Sequence, residues 1–349
     1  MKAGKSLIEL ATELERQAAS KKDYLADSRK MSFEVAKEDD SIILQGINGG
    51  MPLRATAHDQ MAASLMIPKV YYQKMLSEAP DLLARNANHW LQAQPMKKMV
   101  RTLDGHVRAV LSDSYRPLDN LDLAEAVLPK LIGMEAQVMS SEITESRLYL
   151  KAVTEKISGE VAKGDVIQAG VVVSNSEIGQ GSLRVEALDF RLVCLNGMIR
   201  EHSIRKAHLG RNRGEDAIED AREFFRDETR IADDRAFFLK VQDATAAMFD
   251  AVRFAGRIEQ YKVAAERQIE KDPISVVEIT AKKFGLIEKE RTGVLLHLMK
   301  GGSLNQWSLA NAITRTAQDV ESYDRSVEME KMGGAVVELN QSEWKSLAM

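Results

Sequence analysis

A single cysteine, Cys194, occurs among 349 residues. That excludes an intramolecular disulfide framework and fits a reducing cytoplasm. Long apolar runs are also missing. No stretch has the length needed to span a bilayer, and the N-terminal MKAGKSLIELATELERQAASKK lacks the continuous apolar core of a signal peptide. The expectation is a soluble, cytoplasmic protein with no membrane partner. Positive charge is not in excess: 48 Lys and Arg stand against 52 Asp and Glu, a net charge of −4. Any contact with nucleic acid must then come from a local patch rather than from the field of the whole molecule. Aromatics are few at 5%, whereas Met numbers 16, so parts of the core are expected to be adaptable.

Several kinds of chemistry lack their motif. SNSEIGQGS (residues 174–182) contains glycines but no GxxxxGK[ST], which argues against ATP hydrolysis. His202 and His208 have no zinc-ligand partners at a recognised spacing. Cys194 lies in an apolar run and reads as a buried structural thiol. Asp104, Asp113, Asp119, Asp122 and Glu177 offer carboxylates for a divalent metal, but no two-metal motif is readable. Asp104 and Asp119 occupy turn positions, where aspartate bonds backbone. No cofactor, metal site or catalytic residue is assigned.

What is present is an alternation of helical and strand patterns without repeats or low-complexity tracts. Residues 6–18 form an amphipathic helix. Ser32–Val35 and Ser41–Ile47 read as short strands. Ala57–Leu76 reads as two helices broken at Ile67-Pro68, superficially a helix-turn-helix without a clear base-reading set. Asp104-Gly105 marks a hairpin between Met99–Leu103 and Val107–Leu111. Asn120 is a candidate helix cap. Strands resume at Ala136–Ile143, Arg147–Val153 and Ile167–Val173. Ser182–Leu195 reads as one long strand that passes from a sheet edge to its centre, with Cys194 inside. Thr154–Asp165 reads as a solvated loop. Glu215–Lys271, without proline, reads as helix that either breaks, with Asp233-Asp234 and Gly256 as candidate points, or projects as an arm. Further helices follow at Ile274–Gly285, Lys289–Lys300, Leu304–Val320 (capped at Ser303) and Arg325–Lys331, the last ending at Gly333-Gly334. Ala335–Leu339 is a final strand candidate.

Two basic sets stand out. Arg200, Arg205, Lys206, Arg211 and Arg213 fall within fourteen residues against one acid, Glu201. Arginine forks match phosphate geometry, and a basic loop there suits a nucleic-acid backbone. The plainer reading is a solvated loop that offsets Glu215, Asp216, Glu219 and Asp220. Arg101 and Arg108, on the two arms of the predicted hairpin, form the second set with Arg116, Lys97 and Lys98. Tyr115 is placed to stack on a base or to pack at a sheet rim.

Three stretches, VRAVLSDSYRPLDN (107–120), VVVSNSEIGQGSLRVEALDFRLVCLNGMI (171–199) and WSLANAITRTAQDVESYDRSVEMEKMGG (307–334), resemble the phage/plasmid-like family catalogued as domain of unknown function nine-three-two. The likeness runs from about Arg54 to Gly334. It implies mobile-element DNA biology and supplies no catalytic residue. Gln318 stands where that family more often shows His.

These readings lead to an α+β fold: a central, mainly antiparallel sheet over about 97–199, flanking helices and a long C-terminal helical region. Four parts are expected: 1–96 helical with a short hairpin, 97–199 β-rich, 200–273 basic loop and long helix, and 274–349 helical. The functional expectation is a non-enzymatic accessory protein of a mobile element. It would be homo-oligomeric and bind nucleic acid, single-stranded DNA first, to anneal or protect it through Arg200, Arg205, Lys206, Arg211, Arg213, Arg101 and Arg108. A regulatory or anti-defence protein that binds a host protein is the alternative, and a divalent-metal nuclease the third.

Overall fold

A computed structural model describes residues 1–206 and 227–348, with the side chains of 201–231 left aside. The chain opens with helix α1 (Leu7–Ser20), started by a capping box between Ser6 and Glu9. Strands β1 (Lys22–Asp27), β2 (Ser32–Val35), β3 (Ile42–Gln45) and β4 (Met51–Pro52) follow, then helices α2 (Ala55–Ser64), α3 (Lys69–Glu78) and α4 (Pro80–Ala93). Next come the hairpin β5 (Lys97–Leu103) and β6 (His106–Ser112) and helix α5 (Asn120–Gly133). The largest sheet is built from β7 (Gln137–Ile143), β8 (Leu148–Glu160), β9 (Val166–Asn175), β10 (Leu183–Arg191) and β11 (Asn196–Lys206). The rest is helical: α6 (Asp227–Ala247), α7 (Ala251–Glu266), α8 (Pro273–Phe284), α9 (Glu288–Lys300), α10 (Gln306–Thr316), α11 (Tyr323–Glu338) and α12 (Gln341–Ala348). The fold is α+β.

The five-stranded sheet is a simple antiparallel meander in the order β11-β10-β9-β8-β7. Side chains alternate between two cores, as strand geometry requires. Leu148, Leu150 and Ala152 of β8 join Val171 and Val185 under Val127 of α5, Val241 of α6 and Ile258 of α7. Tyr149 and Val153 join Val172, Leu188 and Ile199 under Tyr323 and Val327 of α11. A sheet covered on both faces reads as a continuous apolar run. Each fully buried Leu or Val contributes about 1.5–3 kcal/mol. A second unit packs β1-β5-β6 and β2-β3-β4 with α2, α3 and α4 around Phe33, Leu44, Met61, Tyr72 and Val100.

The β5–β6 turn is as expected, with Asp104 and Gly105 at φ 52° and 72°, the paired left-handed conformation of a two-residue hairpin. Other expectations fail. The β5–β6 hairpin pairs with β1 rather than with the central meander. Residues 154–160 are not a loop but extend β8, with Ser158–Glu160 paired to Val166–Gln168 after a register shift. Ser182–Leu195 is not one strand: β10 ends at Arg191 and residues 192–195 turn into β11. Its charged residues Glu186 and Asp189 are buried and paired, which disguised a buried strand as an edge. The helical tract breaks instead at 248–250, where Asp250 caps α7. Helix α10 is capped by Asn305, two residues after Ser303.

Residues 335–339 form no strand; α11 runs through the two glycines. A Cβ on Gly333 would lie 2.3 Å from Thr314 Cγ2, and one on Gly334 would lie 2.1 Å from the Ile199 carbonyl. These glycines let α11 touch α10 and β11 at backbone distance.

Inside the sheet–α11 layer, Lys151 Nζ bonds Glu330 Oε2 at 2.5 Å with both side chains almost fully buried. The ammonium also sits 4.9 Å from the Tyr323 ring centre. Removing one partner leaves an uncompensated buried charge, whereas removing both need not destabilise. Glu330→Leu is therefore expected to cost about 3–5 kcal/mol in urea unfolding, and Lys151→Met with Glu330→Leu to recover much of it. A double variant no more stable than the single would sink this account.

Candidate functional site

The end of β9 and the turn after it organise the junction between the two units. Ser174, Asn175, Ser176, Glu177 and Ile178 are all buried. A buried carboxylate needs both charge partners and hydrogen bonds. Glu177 has them from three elements. Its Oε2 accepts from Arg108 Nη1 on β6 at 2.8 Å. Its Oε1 accepts from the Asn120 backbone N–H at 2.7 Å, so an acid sits on the first turn of α5, where the helix dipole favours it. Its carbonyl accepts from Arg101 Nη1 on β5 at 2.8 Å. Arg101 also donates to Asp23 at 2.9 Å and to Asp119 at 2.7 Å. Lys21, just past α1, reaches Asp119 at 2.6 Å and Glu177 at 3.6 Å. Asn175 donates to the Leu118 carbonyl and to Asn120 Oδ1. Gly179, at φ 73°, leaves room for Leu111, which a Cβ would approach to 2.6 Å.

This placement corrects the expectation for two residues. Arg101 is 2% and Arg108 8% exposed. Three cations (Lys21, Arg101, Arg108) meet three acids (Asp23, Asp119, Glu177), which leaves no surplus charge for phosphate. Tyr115 likewise is not a stacking platform; its hydroxyl donates to the Ser176 carbonyl, and burial pushes it up to about 12. The expected helix cap also moves: Asn120 is the first residue of α5, and Glu177 satisfies its N–H.

Arg200 is also interior. It is 3% exposed, lies 3.0 Å from Glu338, donates to Gln260 at 2.6 Å and stacks over Tyr261. The basic stretch is no loop up to Lys206, because β11 continues through it and sets Arg205 opposite Arg184 and Lys206 opposite Leu183. The side chains of Arg205 and Lys206, and His202 with them, lie outside the described side chains. His208, Arg211 and Arg213 lie outside the described residues. Cys194 is half-buried at the β10–β11 turn, not in the sheet interior, and Arg191 Nη1 contacts its Sγ at 3.3 Å. Gln318 is half-buried, and its amide donates to the Cys194 and Leu195 carbonyls at 3.2 and 3.3 Å. Among the described residues no three His, Cys, Asp or Glu side chains are grouped to hold a metal ion.

The structure draws together another set. Arg147 lies against Gly181 and donates to the Gln180 carbonyl. Gln180 in turn donates to Thr56, two residues after Arg54, at 2.9 Å. Among the described residues Arg54 makes its ion pair with the exposed Glu145, at 3.5 Å. Among the described residues Arg184 has a distant ion pair, 3.9 Å to Glu186, whose carboxylate Lys331 grips at 2.6 and 2.8 Å. So Arg54, Arg147 and Arg184 flank the glycine-containing turn at the Asn175 end of the sheet, and Arg184 leads across the ladder to Arg205. Beside them a polar cavity of about 240 Å³ is lined by Arg16, Arg54, Arg108, Glu13, Asp104 and Glu145. The sequence carries no signal for this set, since its members are isolated along the chain and meet only through strand register.

A family model described as a domain of unknown function (DUF932) matches residues 107–331. The chain belongs to the DUF932 family. No curated protein and no solved structure matches it. The DUF932 segment holds β6, the Glu177 turn, the start of α5, Arg147 and Arg184. Lys21, Arg54 and Arg101 of this DUF932 protein precede it.

The Glu177 junction carries a sign-definite pH dependence. Burial alone would raise the Asp119 carboxyl, but Arg101 and Lys21 outweigh it and hold it below its ordinary value. A depressed acid contributes its full stabilisation above the unfolded value, about 3.9, and loses it as pH falls through the folded value. Melting temperature should therefore drop below about pH 4, and Asp119→Asn should lower stability at pH 7 and flatten that drop. Melts from neutral to acid pH check this; equal acid slopes in both proteins would exclude Asp119 as a source.

Proposed function

We propose that this chain is a non-enzymatic nucleic-acid-binding protein of phages and related mobile elements, which holds single-stranded DNA by its phosphates to anneal or protect it. The observation that carries the reading is the arginine row Arg54, Arg147, Arg184 at one end of the sheet. Among the described residues its members have weak or backbone partners, and the register sets Arg205 directly opposite Arg184. From there the chain enters the basic segment with Arg211 and Arg213. In a molecule of net charge −4, a local row of this kind is what phosphate binding requires. Arg101, Arg108 and Arg200 serve this reading as scaffold, because carboxylates already occupy them. A second reading, binding of a host protein, draws on Met66, Val70 and Tyr71, which expose apolar surface where α2 turns into α3.

Fluorescence anisotropy with labelled single-stranded DNA across a salt series separates the two. Five phosphate contacts give a log–log salt slope near −3.5, at about −0.7 per contact. Arg147→Ala and Arg54→Ala, checked by thermal melts for intact folding, should each weaken binding to any sequence and reduce the slope by about 0.7. A flat salt response in the wild type would remove the DNA reading and leave the protein-partner one.

A further inference from the structure

The β10–β11 turn contradicts its own local chemistry. A hairpin tip normally carries Asn, Asp or Gly, yet this one is Leu192-Val193-Cys194-Leu195. Leu192, Val193 and Leu195 are 37%, 60% and 58% exposed. Leu195 is held at φ 50°, a conformation that suits glycine or asparagine. The tip is rigid: Gln318 ties the Cys194 and Leu195 carbonyls, the Met1 amine also donates to Leu195, and the Leu192 N–H donates to the Val166 carbonyl at 3.0 Å. Three apolar side chains are thus fixed in water at a strained turn, a cost that binding to an apolar surface would offset.

The same end of the sheet carries a matching recess. A groove of about 330 Å³ lies between the end of β8 and α7, with Ile157, Gly159, Phe254, Ala255 and Ile258 among its lining and Lys156, Glu160, Glu259 and Lys262 at its sides. Its two lysines and two glutamates cancel, so self-association meets no net charge. Among the described residues no strand pairs with the outer edge of Ser158–Glu160, because β7 meets β8 last at Val153. Groove and tip are neighbours: Glu160 pairs with Val166, and Val166 bonds Leu192. The tip cannot enter its own groove, since that bond and Gln318 hold it in place. A knob and a recess side by side on one surface are what a two-fold interface needs, each patch meeting its counterpart reciprocally.

We infer that a second copy of this chain docks here, each copy seating its Leu192–Leu195 tip in the other's groove between β8 and α7. The interface lies at the opposite end of the sheet from Arg147 and Arg184, where Leu148 pairs with Asn175, and so is independent of phosphate binding.

Sedimentation equilibrium on the full chain tests this. The wild type should be a dimer. Leu192→Glu with Val193→Glu, and separately Ala255→Glu, should raise its dissociation constant about tenfold or more, with an unchanged circular dichroism spectrum because the altered residues are exposed. A monomeric wild type, or a dimer that survives either variant, overturns the proposal. In a Cys194→Ser background, a mixture of Val193→Cys and Ala255→Cys chains should cross-link with a short bis-maleimide. Cross-linking of Val193→Cys chains alone, with none added by the Ala255→Cys partner, would mean a tip-to-tip contact and also overturn it.

Discussion

Glu177 is a carboxylate with almost no contact with water, and four segments of chain converge on it. Its charge cannot be buried alone; the cost, several kcal/mol, is a large share of the stability of most domains. Arg108, Lys21 and the first N–H of α5 answer the side chain, and Arg101 answers the carbonyl. The two hydrophobic cores on either side would hold together without it, but their relative position would be set only by non-directional packing. Charged hydrogen bonds supply the direction. The sheet, the N-terminal unit and the helix that roofs the sheet are thereby fixed to one residue in a turn.

The arginines of this protein divide by partner rather than by sequence neighbourhood. Arg101, Arg108 and Arg200 sit inside and are matched by acids, whereas Arg54, Arg147 and Arg184 lie at a rim and are matched poorly or by backbone. Guanidinium groups serve both purposes because they keep their charge in either setting. Local density of positive charge along the chain therefore does not reveal which arginines are free. Arg200 and Arg205 are five residues apart, yet Arg200 is enclosed between β11, α7 and α11 while the backbone of Arg205 lies in the ladder opposite half-buried Arg184.

Much of the architecture was legible. Asp104-Gly105 announced its hairpin through backbone conformation alone, and the apolar run of β9 announced a buried strand. Misreadings came where tertiary pairing overrode local pattern. Glu186 and Asp189 made a central strand look like an edge because Lys331 and Arg257, distant in sequence, neutralise them. Gly333-Gly334 looked like a helix stop because the close approach of β11 and α10 is invisible until the fold is known. Leu192–Leu195 looked like strand because it is apolar, while the turn-forming pair Asn196-Gly197 lies just beyond it in β11. The site fared worst: its residues are set by register between strands, and register is a property of pairs rather than of segments.

Lys151 has a further consequence. Its partner Glu330 lies 179 residues later, so a ribosome completes the five strands long before α11 exists. During that interval the face with Val153, Val172, Leu188 and Ile199 has no cover. A bare face of β-branched and aromatic residues invites stacking of one nascent sheet on another. An ammonium in its middle makes such stacking costly, since two facing lysines would repel and desolvate each other. The residue that pins α11 in the finished protein thus carries, before its own acid is made, a charge that disfavours such stacking.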